Sequence, residues 1–251
     1  MISAVIFDLD GTLLETEELK ALSYARAAAK LDPEVQEEDV RAAYAEDLVG
    51  HSRREVAQGV LQRFDLEEAA RARMEDLDED EPWKALVNIR VGMYEEILED
   101  DDLLIKQRYQ HNIDLLRAMR EAGYPTACAT MSHRYQVERV LTVLELEDAF
   151  DVISTADDIE NGKPDPEIDL LVAEKMNIPP EEFLVVEDSP AGVRAAVAAG
   201  MKVVAVPTEI TRPSFQKSEV IDPRWVVDDP GDLREVVKDR IKDAGGSRVQ
   251  A

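Results

Sequence analysis

The chain has 251 residues, enough for a large core in one or two domains, and its 45% hydrophobic content is that of a globular protein rather than a disordered one. Acidic residues outnumber basic ones 55 to 29, a formal net charge of -26, which argues against a nucleic-acid partner and against anionic membrane surfaces. No apolar run approaches the ~18 residues of a membrane span.

The N-terminus meets Asp8 too early for a secretory signal. Cys128, the only cysteine, excludes internal disulfides and fits a reducing cytoplasm as a buried structural thiol. Only ten of the basic residues are lysines, and an acidic, lysine-poor surface suggests a halophilic source.

In chain order, Ala4 to Phe7 is a short continuous apolar run, the pattern of a strand buried on both faces. It stops at Asp8, followed by Asp10, Gly11 and Thr12. Carboxylates two residues apart on an extended segment point the same way. At about 4 Å and an effective dielectric of ~20 they repel by ~4 kcal/mol, so such a pair calls for a cation beside it. Asp-x-Asp-Gly is also a common solvated turn. A calcium loop is a poorer fit, because its twelfth position, which needs a bidentate Glu, is Leu19.

Helical periodicity follows over 15–30, broken by Asp32-Pro33, and then over 37–48, 53–64, 66–77 and 83–98, with no convincing strand before about residue 104. The acidic runs 75–81 and 99–102 read as solvated faces or loops. The pattern then changes. Asn112 is placed to cap a helix ending near Gly123, and Thr126–Thr130 reads as a second strand. Further strands are expected at 152–154, 183–186, 202–206 and 225–227, alternating with helices over 134–144, 166–176, 190–200 and 232–242. The last residues, 245–251, are expected to be disordered.

Strand-helix alternation implies a doubly wound parallel α/β sheet. Residues 1–14 and 105–251 would form this Rossmann-like core, with a helical domain inserted at 15–104. In such a sheet the strand ends share one edge. Asp8 and Asp10 would follow strand one, Thr130 and Ser132 strand two, Lys163 strand three, and Glu187 and Asp188 strand four. Carboxylates to hold Mg²⁺, and an ammonium and hydroxyls to hold transferring oxygens, suit phosphoryl transfer.

This ordered set, Asp8-Leu-Asp-Gly-Thr12, Thr130, Lys163 in Gly-Lys-Pro, and Glu187-Asp188-Ser, resembles the four motifs of the haloacid dehalogenase (HAD) superfamily. The helical insertion after the first motif resembles the cap of its β-phosphoglucomutase/phosphatase-like subgroup. The resemblance implies Asp8 as nucleophile forming an aspartyl-phosphate and Asp10 as acid and base. It implies Mg²⁺ on Asp8, the Asp10 carbonyl and Asp188, with Glu187 close by, and Thr130 and Lys163 on the phosphoryl oxygens. Asp10 stands where the dehalogenases carry Tyr, which points away from dehalogenation.

Substrate choice is expected to lie in the cap. Leu48-Val-Gly-His-Ser-Arg-Arg54 resembles the subgroup's specificity segment, giving Gly50, His51 and Arg53, with Thr16, Lys20 and Ser132, as substrate-binding candidates. The same segment also reads as the polar N-terminus of a helix. Lys20 stands where many relatives have a cap histidine, and 106–111 lacks their Pro-Gly turn. With no clustered His or Cys, a zinc site is not expected.

The expected function is an Mg²⁺-dependent phosphatase for a small soluble phosphate monoester, a monomer being compatible with the sequence. The alternatives are a phosphosugar mutase using the same aspartyl-phosphate and a non-catalytic module that binds a phospho-ligand or a protein. A halophilic origin carries its own test. The melting temperature should climb between about 0.1 M and about 1 M salt, as the Debye length shrinks from ~10 to ~3 Å. A flat or falling value would count against it.

Overall fold

The structure, a computed structural model, describes residues 1–48, 51–217 and 220–245. Gly50 and the tail 246–251 lie outside the described residues. The chain divides into two compact units, Met1–Glu15 with Leu104–Ala251, and Thr16–Leu103.

The first unit is built on a five-stranded parallel sheet: β1 (Ala4–Phe7), β2 (Thr126–Ala129), β3 (Val152–Ser154), β4 (Phe183–Glu187) and β5 (Lys202–Ala205). The strand order is β3-β2-β1-β4-β5, with β1 central. The register sets Val5 against Thr126 on one side and against Leu184 on the other. Every residue of β1, β2 and β4 is buried, which is why these strands read as unbroken apolar runs rather than alternating ones. The chain builds outward from β1 to β3 and then crosses to β4 and β5. The order therefore reverses between β1 and β4, the place where ligands bind in such sheets.

Ala4, Ile6, Ala127, Val185 and Val203 pack on one face with Ile168 and Val172 of a helix at Glu167–Met176 and Val193 and Ala196 of a helix at Pro190–Ala198. Helices at Gln110–Glu121 and Leu233–Asp243 pack together and contact β2 and β5. In the second unit, α1 (Thr16–Leu31) packs on α2 (Glu37–Ala43) and on α6 (Pro82–Leu98). Also there are α3 (Arg53–Arg63), α4 (Glu67–Arg71) and α5 (Met74–Leu77). Tyr24, Ala25, Val40, Val60, Leu61 and Leu86 form its separate core.

Further helices are α7 (Asp101–Lys106), α8 (Gln110–Glu121), α9 (Arg134–Val143), α10 (Glu167–Met176), α11 (Pro190–Ala198), α12 (Arg212–Lys217) and α13 (Leu233–Asp243).

Several expectations need correction. The sixth strand at 225–227 is absent: Pro223–Trp225 is a 3-10 turn held by Asp222, and only a single bridge joins Val226 to Ala205. The helix expected over 66–77 is two short ones, α4 and α5. No residue of α5 is buried, so nothing on that side rewards a longer helix. The run 37–48 finishes in a π-helical turn, Tyr44–Leu48. Of the acidic run read as a solvated face or loop, the exposed Asp101 and Asp102 take the first of these alternatives and begin α7. Asn112 is not a cap: α8 starts at Gln110, and the buried Asn112 amide donates to the Thr12 carbonyl at 2.6 Å.

Ile6 is fully buried in the central strand. Ile6→Ala should cost about 2–5 kcal/mol by the cavity it leaves, read from urea unfolding. A loss well under 1 kcal/mol would show that β1 is not the spine of the sheet.

Candidate active site

The end of β1 presents Asp8, whose N–H donates to the Val186 carbonyl at 3.0 Å and so ties it to the end of β4. Gly11 follows with φ +79, in the left-handed region that favours glycine, and a Cβ there would collide with the Asp188 carboxylate. Gly11 is thus needed both for the turn and for the approach of two sheet ends. At β4, Ser189 caps α11 by accepting from the Gly192 N–H at 3.0 Å, and its hydroxyl donates to Glu187 Oε1 at 2.8 Å. Gly192 leaves room for Glu187, since a Cβ would overlap that carboxylate.

Lys163 reaches in from the turn after β3. Its ammonium donates to Asp8 Oδ1 and Glu187 Oε2, both at 2.8 Å, and to the Ala129 carbonyl at 3.0 Å, so all three protons are used. Thr130 and Ser132 both donate to one atom, Asp10 Oδ2, at 2.8 and 2.7 Å. That pair of bonds fixes the Asp10 carboxyl and leaves its Oδ1 without a partner from those hydroxyls.

One ligand atom from each of Asp8, Glu187 and Asp188 lies within 4.8 Å of the others, and all three residues are buried. Burial first, and the neighbouring Glu187 charge second, push the Asp8 and Asp188 carboxyls well above the usual range. Burial works against charge on Lys163 too, but Asp8 and Glu187 more than offset it and hold the lysine as ammonium. Three buried carboxylates face one ammonium, and all donors are hard oxygens. That set fits a divalent cation such as Mg²⁺.

The cluster unites Asp8, Asp10, Thr130, Ser132, Lys163, Glu187 and Asp188. The helical-unit candidates form no comparable cluster. Lys20 pairs with Glu17 at 2.6 Å. Thr16 is buried with its hydroxyl unpartnered among the described residues. The exposed His51 lies 3.9 Å from Glu55, and the Arg53 backbone carbonyl accepts from the Tyr24 hydroxyl. Ser52 and Glu55 make a reciprocal capping box, so the helix-start reading of this segment is realised in α3. Gly50 lies outside the described residues.

Two buried charges were missed by sequence reasoning. Arg90 lies between the Tyr24 and Tyr94 rings, 5.4 and 4.7 Å from their centroids, with its Nε unpartnered. Asp169, 1% exposed, has no partner for either carboxylate oxygen among the described residues. It is the third residue of α10, where an acid often reaches back to the cap N–H, but the cap is Pro166, which has none. That proline was the one available signal.

A family model described as haloacid dehalogenase-like hydrolase matches residues 5–206. A phosphorylated carbohydrates phosphatase of Thermotoga maritima is 36% identical over 199 residues, 79% of this chain and 82% of that protein. A pyrophosphatase PpaX of Bacillus cereus is 27% identical over 237 residues, 94% of this chain and 96% of that one. The crystal structure of a β-phosphoglucomutase from Clostridium difficile shares the fold, with a TM-score of 0.65 at 24% identity, covering 97% of this chain and 98% of that chain.

Burial pushes the Asp169 carboxyl up to about 6 from 3.8, so the folded protein holds its proton more tightly than the unfolded chain does. The stability this proton contributes is present below about pH 4 and is lost as pH rises through about 6. Asp169→Asn removes that loss. The variant should be more stable than the parent at about pH 7.5, by up to roughly 3 kcal/mol, and the two should converge near pH 4. Urea unfolding at both pH values reads this out, and a less stable variant at the higher pH would refute an unpartnered carboxylate.

Proposed function

We propose that this chain, which belongs to the haloacid dehalogenase-like hydrolase family, is an Mg²⁺-dependent phosphatase acting on small soluble phosphate monoesters through an aspartyl-phosphate. The observation that carries the reading is the division of labour between two carboxylates. Asp8 is gripped through Oδ1 by Lys163, while Asp10 is gripped through Oδ2 by two hydroxyls.

Lys163 screens the charge of Asp8, so that its second oxygen can approach an anionic phosphorus, and holds it at a fixed angle for in-line attack. Asp10, aimed by Thr130 and Ser132, gives a proton to the leaving oxygen and then takes one from the water that cleaves the aspartyl-phosphate. A group that must act first as acid and then as base cannot also serve as the nucleophile, which is why two carboxylates are needed. In this reading the Thr130 hydroxyl and the Lys163 ammonium would each exchange one of these bonds for a phosphoryl oxygen when substrate binds. Asp8, the Asp10 carbonyl and Asp188 would hold Mg²⁺, with Glu187 close by, and a bound cation would supply positive charge against the phosphate oxygens.

For the substrate class, support comes from the Thermotoga maritima relative, named for phosphorylated carbohydrates. A sugar phosphate or similar small ester is therefore the proposed substrate, and Thr16, Lys20, Gly50, His51 and Arg53 are assigned to its recognition. Arg53 leads that group, because its guanidinium makes no ion pair among the described residues.

Inorganic phosphate release from a panel of phosphate esters with Mg²⁺ tests the reading. Asp8→Asn should abolish turnover, Asp10→Asn should lower kcat by about 10²–10⁴-fold, and EDTA should silence the enzyme. Undiminished turnover by Asp8→Asn would rule out the aspartyl-phosphate. An isomerised sugar phosphate in place of released phosphate would identify a mutase instead.

A further inference from the structure

A cavity of about 290 Å³ opens in the α/β unit between the segment entering α8 and the loop after β5. In a chain where 55 of 251 residues are acidic, none of the residues lining it is Asp or Glu, while Arg108, His111 and Arg212 all contribute. Carboxylates beside the lining residues are engaged by them: Asp228 accepts from Arg212 at 2.8 Å, Asp114 accepts from the Gln110 amide at 2.8 Å, and Glu15 accepts from the Tyr109 phenol. Asp188 borders the cavity at Gly11.

Arg108 has no such partner. Its Nε donates to the neutral Gln110 side chain at 2.7 Å, and among the described residues it forms no ion pair. The backbone N–H groups of Gln110 and His111, in the first turn of α8, likewise have no acceptor among the described residues, and Tyr109 provides no side-chain cap. Asn112, buried and bonded to the Thr12 carbonyl, anchors that turn and so holds the two donors in place. The remaining wall, with Tyr109, Val206, Pro207 and Val227, is largely apolar. This is also the segment whose sequence lacks the Pro-Gly turn of the chains it resembles.

Several donors and a guanidinium without an ion pair among the described residues, on one side of an open cavity with a largely apolar wall, make a site for an anion carrying a compact carbon skeleton. We propose that the α/β unit binds a small phosphorylated or carboxylated molecule in this cavity, its oxyanion meeting Arg108 and the N–H groups that open α8. The proposed oxyanion contacts, Arg108 and the α8 N–H groups, are not residues assigned to turnover, while Gly11, which also lines the cavity, adjoins the Asp188 carboxylate.

The test is titration calorimetry on the full chain with Mg²⁺, using inorganic phosphate and, separately, malate as probes. Arg108 is exposed, so Arg108→Gln should keep the native circular dichroism spectrum; Lys163 is a buried ion-pair partner, so Lys163→Ala is checked in the same way, and if it does not fold Thr130→Ala takes its place. The expected result is an anion site whose affinity falls roughly tenfold or more in Arg108→Gln but persists in Lys163→Ala, where phosphate binding at the strand ends is removed. Dependence on Arg108 for phosphate alone would assign a phosphorylated ligand, and for malate alone a carboxylate. If neither probe binds in an Arg108-dependent way, or all binding disappears with Lys163→Ala, the proposal is overturned. Loss of phosphatase activity would not bear on it, because the readout is binding.

Discussion

One ammonium holds the strand ends together. Asp8 ends β1, Glu187 ends β4, and the Ala129 carbonyl belongs to β2, so Lys163 spans three adjacent strands with its three protons. Its side chain and those of its two carboxylate partners are largely covered, 7% exposed for Lys163, 6% for Asp8 and 2% for Glu187, which makes each link strong and each deletion severe. The glycines nearby follow from the same constraint. Gly11 and Gly192 sit where a single Cβ would push Asp188 or Glu187 out of the cluster. Crowding like charges at one edge is possible only because this centre is stitched from several strands at once.

The surface follows a different rule. Pairs such as Lys84 with Asp80 or Arg71 with Glu67 join residues four apart at the surface, and pairs of that kind contribute little. The large negative excess is carried at such positions. Inside, charges are few and each is tied to a definite geometry, with Asp169 and Arg90 as the two whose partners are missing among the described residues. Net charge therefore describes how the protein meets its solvent, and the buried groups describe what it does.

The strands were legible because each is short, apolar and fully covered, and the site was legible because its polar residues stand where those apolar runs stop. What sequence could not convey were distances between elements far apart in the chain. That Thr130 and Ser132 converge on one oxygen of Asp10 depends on β2 lying beside β1. The apolar residues of 225–227 look like a strand, yet Trp225 instead packs under Arg240, 4.6 Å from its guanidinium carbon, and the backbone makes only one bridge. Asn112 has the side chain of a cap, but its partner is a carbonyl a hundred residues away. The split of 66–77 reflects missing burial, which no local propensity encodes.

The central position of β1 bears on how the chain is made. As synthesis proceeds, Ala4–Phe7 is made before the other strands of the sheet, yet its neighbours on the two sides begin at Thr126 and Phe183. This strand must stay unpaired until the chain has been made at least as far as Thr126–Ala129. The helical unit, by contrast, spans Thr16–Leu103 and carries its own core, so its packing partners are all present before the first strand finds any of its own. Vectorial synthesis thus favours completing the inserted unit before the unit that it interrupts in sequence, and leaves a short hydrophobic strand in need of shielding in the interval.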